Sequence, residues 1–121
     1  MASSSAVKRK LSGSTDGKAI KVAQTATPGD TIHTAVAGTT AGTFDEIWLW
    51  AFNSYTGNIK LTIEFGGASA PDDNIVVTVP ALAGLVPIVP GLILQNGATV
   101  KAFASSANVI TIIGFVNSIT D

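Results

Sequence analysis

Phe44-Asp45-Glu46-Ile47-Trp48-Leu49-Trp50-Ala51-Phe52-Asn53 is the stretch on which the fold turns. Read with the two-residue period of a strand, it puts Phe44, Trp48, Trp50 and Phe52 on one face and Ile47, Leu49 and Ala51 on the other. Both faces are apolar. The next segment, 58–65 (NIKLTIEF), alternates instead: Ile59, Leu61, Ile63 and Phe65 point one way, Lys60, Thr62 and Glu64 the other. That is a strand with one wet face. The closing segment, 108–118 (NVITIIGFVNS), is again apolar on both sides. No stretch long enough for a helix of ten residues carries a helical period, so the class is all-β.

Turn residues at short intervals bound the other strands: 17–23 (GKAIKVA), 30–36 (DTIHTAV), 74–79 (NIVVTV), 91–95 (GLILQ) and 98–104 (ATVKAFA). Each break offers a positive φ, a fixed φ or a side-chain turn bond. Asn96-Gly97 between two apolar runs is the best local hairpin signal, since a type I′ turn wants both residues left-handed. Eight short strands in a body of this size predict an eight-stranded antiparallel β-sandwich, jelly-roll-like. In a sandwich only one face of each sheet meets the core. The second apolar faces of 44–53 and 108–118 therefore need cover, from a neighbouring subunit, the economical answer, or from loops or the arm of the same chain. Trp48, Trp50, Phe52, Ile110, Ile112 and Phe115 are the expected interface residues.

The chain of 121 residues fits one domain, large enough to bury roughly two-thirds of its unfolded surface without staples. Lacking cysteine, it has neither a disulfide framework nor a thiolate metal site. Charged residues make up 12%, about half the globular average, and a lone domain so poor in charge dissolves badly. Five of the seven basic residues, Lys8, Arg9, Lys10, Lys18 and Lys21, precede Val22, while seven of the eight acids follow it. Residues 1–16 are serine-rich without an apolar period and read as a flexible basic arm, ahead of a β-sandwich domain over 17–121. No secretory signal pattern opens the sequence, so synthesis and use in a cytoplasm are expected. The uncharged stretch 75–100 is broken by Pro80, Pro87 and Pro90 and does not predict a membrane helix.

Candidates for chemistry are few. His33, the single histidine, lacks the ligand set of a metal site and the elbow of a nucleophile, and Thr31 and Thr34 stand ready to solvate it. Asp45 and Glu46 are neighbours in a strand, so they point to opposite faces and cannot form an acid/base couple. Asp72-Asp73-Asn74 reads as a solvated turn, short of the oxygens calcium wants. Gly66-Gly67-Ala68 opens no helix and precedes no Gly-Lys-Ser/Thr, so it is no phosphate cradle. Trp48, Trp50 and Tyr55 offer a platform for sugar; the absence of nearby positive charge argues against nucleic acid. No catalytic, cofactor or metal residue is assigned. The basic residues Lys8, Arg9, Lys10, Lys18 and Lys21 fit three readings: an arm that binds nucleic acid, one that threads along an acidic protein surface such as a capsid, and a solvated tail.

One resemblance emerges. Pro90-Gly91-Leu92-Ile93-Leu94-Gln95-Asn96-Gly97-Ala98-Thr99-Val100-Lys101-Ala102-Phe103-Ala104-Ser105, followed by Asn108-Val109-Ile110-Thr111-Ile112-Ile113-Gly114-Phe115-Val116, resembles the closing hairpin of small β-sandwich virion proteins of tailed bacteriophages. Within that group it is most similar to capsid decoration (cement) proteins. The resemblance implies a structural virion protein, a homotrimer that binds the major capsid protein and clamps the lattice, with a terminal arm reaching across the shell. The alternatives are a carbohydrate-binding or adhesin module, a head–tail connector or a tail component. The shared pattern is structural and transfers no binding residue.

Overall fold

A strand alone leaves its backbone N–H and C=O groups unpaired, so each alternating segment must close a ladder with another. The computed structural model describes residues 4–121. Among them lie nine strands and no helix: β1 (Ser5–Lys10), β2 (Ile20–Val22), β3 (Asp30–Thr34), β4 (Phe44–Asn53), β5 (Ile59–Phe65), β6 (Asn74–Val79), β7 (Val86–Leu94), β8 (Thr99–Ala104) and β9 (Ile110–Thr120). They form two antiparallel sheets, as expected for a β-sandwich. The first runs β1-β9-β4-β7, with β2 also on β9. β1 lies along residues 115–120 and β2 along 110–112, so the two share one edge of β9 end to end. The second sheet runs β3-β8-β5-β6. Between them Ile47, Leu49 and Ala51 of β4 and Ile110, Ile112 and Val116 of β9 meet Ile59, Leu61 and Ile63 of β5 and Val100, Ala102 and Ala104 of β8, all buried.

Several expectations need correction. β7 begins at Val86 rather than at residue 91 and runs through Pro87 and Pro90. Proline gives no N–H to a ladder and is tolerated only on an edge or at a bulge. β7 has both: it ends the sheet, and its register against β4 slips between Ile47 and Trp48 and again between Leu49 and Trp50. Asn96 and Gly97 do take φ of 61° and 67°, the left-handed pair the turn requires. They do not make a hairpin, because β7 and β8 belong to different sheets, and so do β8 and β9. Among the described strands, β5 and β6 are the only consecutive pair hydrogen-bonded to each other.

The flexible arm expected over 1–16 is also corrected over its described part. Residues 5–10 are β1, paired residue by residue with β9. The chain then crosses to the other sheet. Leu11 is buried in the core, the Gly13 N–H donates to the Ile32 carbonyl at 3.0 Å, and the Ser14 hydroxyl donates to the Lys18 carbonyl at 2.6 Å. Polarity misleads here because an edge strand held by its backbone alone needs no apolar face, and every β1 side chain is exposed. Residues 1–3 of the expected arm lie outside the described residues.

The wet face expected of β5 is wet only at Lys60; Thr62 and Glu64 are 3% and 1% exposed. Glu64 is covered by the 23–29 loop between β2 and β3. Thr27 Oγ1 and the Gly29 N–H, the latter at 2.7 Å, both donate to the Glu64 carboxylate. On the rest of that side Lys60, Val76 and Thr78 stay exposed.

Candidate interaction face

The outer side of the first sheet is different. β4 alternates without a break, with Asp45, Ile47, Leu49, Ala51 and Asn53 inward and Phe44, Glu46, Trp48, Trp50 and Phe52 outward. Residues directly opposite in an antiparallel pair share a face, so Trp48 is joined by Phe115 and Trp50 by Ile113. The rings of Trp48, Trp50 and Phe115 gather with centroids 6.0–6.4 Å apart and planes within 27° of parallel. Two glycines permit this packing, Gly114 against the β4 backbone and Gly91 against the Trp48 ring. A Cβ at Gly114 would stand 2.0 Å from the Trp48 carbonyl oxygen, and one at Gly91 would stand 2.7 Å from the Trp48 indole. Beside the rings lies a shallow apolar hollow of about 390 Å³, lined by Gly17, Trp50, Leu85, Ile113, Gly114 and Phe115. Leu85 is 58% exposed, and the three rings are partly buried.

The lysines frame this face. Lys8 is opposite Asn117, Lys10 opposite Phe115 and Lys21 opposite Thr111, all outward positions of β9. The Lys8 ammonium sits 4.3 Å from the centre of the Phe115 ring, a cation–π contact. Arg9, opposite Val116, points to the other side, and Lys18 lies on the connecting loop. Aromatic residues and positive charge therefore do share a face, which corrects the premise used against nucleic acid.

Glu46, the acid on the face, is already engaged: its Oε1 accepts Trp48 Nε1–H at 2.8 Å and Asn117 Nδ2–H at 3.0 Å. These donors, Asn117 foremost, hold its carboxyl below the usual range. A carboxylate favoured by folding stabilises at neutral pH, and that contribution is lost as the pH falls through its lowered value. Acid titration of tryptophan emission is expected to show a transition below the ordinary glutamate range, absent in Glu46→Gln.

On the inward side of β4 a second polar cluster forms. Asp45 Oδ1 accepts the Ser118 hydroxyl at 2.6 Å, while Oδ2 meets His33 Nε2 at 2.8 Å and the Val36 N–H at 3.2 Å. His33 Nδ1 accepts the Ser12 N–H at 3.0 Å, so a neutral ring carries its proton on Nε2, toward Asp45. Asp45 and Ser12, rather than Thr31 and Thr34, are thus its partners. A serine, a histidine and an aspartate meet, but their wiring is not that of a nucleophile. The Ser118 hydroxyl donates to the acid, and both imidazole nitrogens are occupied, so no base faces it. The cluster ties β3, β4 and β9 together beneath an open groove of about 790 Å³, whose other wall includes Ser5, Val7 and Arg9.

Of the expected interface residues, Trp48, Trp50, Phe52 and Phe115 are on the outer face. Ile110 and Ile112 are fully buried in the core. They differ from Phe115 in strand parity, so the outward apolar partner on β9 is Ile113, which alternation alone would have selected. Tyr55 follows β4 in a loop, outside the ring stack and 49% exposed. Asp73 Oδ2 accepts the Ser69 N–H at 3.0 Å and closes its turn. No described helix is long and apolar enough to cross a membrane. Comparison with protein-family models, curated proteins and solved structures returns no match.

Proposed function

We propose that this chain is a structural assembly protein that decorates and stiffens a viral capsid, self-associating as a homotrimer and binding the major capsid protein. The observation that carries the reading is the aromatic outer face of the first sheet. Trp50, Ile113, Phe115 and Leu85 border a shallow apolar hollow there, with Trp48 stacked beside them. Aromatic residues central to a patch and a charged rim are the composition of a protein interface. The strand order, β2-β9-β4-β7 over β3-β8-β5-β6, is read as a jelly roll, an architecture of capsid and lectin domains. A sugar shelf needs a free ring face; here Lys8 lies over Phe115, Gly91 under Trp48, and the rings face one another. The lysines on the same face suit an acidic partner surface, and many weak copies on a lattice add up to firm attachment.

Light scattering coupled to size exclusion tests the assembly. The full chain is expected to run as a trimer, and Trp50→Glu to weaken association by about 30-fold or more, the effect of losing a hot spot of about 2 kcal/mol, with an unchanged β-sheet circular dichroism spectrum. A monomer at all concentrations would refute self-assembly through this face.

A further inference from the structure

We infer that β1 is an exchangeable strand, and that in the assembly it pairs with β9 of a second copy of this chain; the inference rests on the assembly reading above. Three observations carry it. First, all six β1 side chains are exposed and its strand partner is β9 alone, so its hold is one six-residue ladder with the Lys8 contact to Phe115 and the Lys10 bond to the Ser14 carbonyl. Second, the inward side chains Ser5, Val7 and Arg9 do not enter the core. They border the open groove whose far wall is the His33, Asp45 and Ser118 cluster. The seat under β1 contains a polar network that is already hydrogen-bonded, so lifting the strand wets that network. Third, the chain is pinned immediately afterwards: Leu11 is 1% exposed, Gly13 is bonded to Ile32, and the Ser12 hydroxyl accepts the Thr34 N–H at 2.7 Å. A rigid anchor followed by a weakly seated strand is a hinge.

All six residues of β1 are taken up by the ladder, so exchange requires that the Phe115 end of the neighbour's β9 lie beside the Lys10–Leu11 hinge. Vacating residues 115–120 of β9 leaves an unpaired edge that must be filled, and the identical strand of a neighbour fills it in the same register. Exchange replaces each intramolecular ladder by an equal intermolecular one and adds a covalent tether across the contact. Lys8 would then sit over the Phe115 ring of the neighbour, drawing the basic strand into the aromatic face itself.

The absence of native cysteine makes the test clean. In the Lys8→Cys/Asn117→Cys double variant, two residues directly opposite in the ladder are bridged with a short bismaleimide, which tolerates imperfect thiol geometry. The oligomeric fraction is taken from size exclusion, bridged, denatured and separated by mass. Exchange predicts that most bridged product from that fraction is covalent multimer. Oligomers whose bridges are all within single chains would overturn exchange and leave the assembly reading standing. A chain monomeric throughout would sink both. Deleting residues 1–10 separates them again: exchange predicts dissociation at concentrations where the full chain is assembled, whereas an oligomer of undiminished affinity would show that β1 has no part in it.

Discussion

Asp45→Ala is expected to remove about 3 kcal/mol of stability, since three donors lose one shared buried acceptor. Asp45 is 4% exposed and accepts from the Ser118 hydroxyl, the His33 ring and the Val36 N–H. Alanine supplies no acceptor, and the groups left behind belong to three different strands or their connections. Each buried donor without a partner costs about 1–3 kcal/mol, partly relieved by water from the neighbouring groove. Asp45→Asn should cost less, since its carbonyl oxygen still serves one donor while its amide meets the others head-on. Urea denaturation followed by far-ultraviolet circular dichroism reads the change as a lower midpoint at an unchanged slope. A loss under about 1 kcal/mol would mean that solvent replaces the carboxylate at little cost and that the cluster does not tie the strands.

The all-β class was legible because alternation is a local property. In 44–53 and 58–65 each side chain's face follows from its neighbours, and the structure puts Ile47, Leu49 and Ala51 inside as one such set. What alternation cannot choose is which of two apolar faces goes in. Ile110 and Ile112 were expected outside beside Phe115 although they sit on opposite parities, and the core took them. Long-range cover is equally invisible: Glu64 reads as a solvent-facing residue until a loop 35 positions earlier in the chain reaches it with the Gly29 N–H. β1 was hidden for a different reason. An exposed edge strand has no hydrophobic pattern to betray it, and the signal lay on its partner, since β9 is eleven residues long while β2 covers only three of them. The lysines joined the rings for the same reason, because no local rule sets 8, 10 and 21 beside 111, 115 and 117.

On the second sheet the chain supplies its own cover at Glu64. Loop 23–29 seats there, and its seat depends on the absence of one side chain. Gly29→Ala is expected to destabilise the fold by about 3 kcal/mol, the upper end of ordinary overpacking. The added Cβ would lie 2.2 Å from the Ala102 oxygen, 2.3 Å from its carbon and 2.7 Å from its nitrogen. These are backbone atoms of β8, which lies between β3 and β5 in the sheet, so they cannot rotate aside as a side chain would. The loop must lift, and with it goes the Gly29 N–H that bonds Glu64, a hydrogen bond to a charged group of about 1.5–3 kcal/mol. Glu64→Gln weakens the same seat from the other side. Because both substitutions act by unseating one loop, the double variant should lose less than the sum of the singles, a coupling that a double-mutant cycle in urea measures directly. Strict additivity would show that the clash is relieved within β8 and that the loop stays on Glu64. Loss of the coupling partner also opens Thr62 and Glu64 to water, so amide exchange at these two β5 residues should accelerate in Gly29→Ala well beyond that of Ile47 in the other sheet.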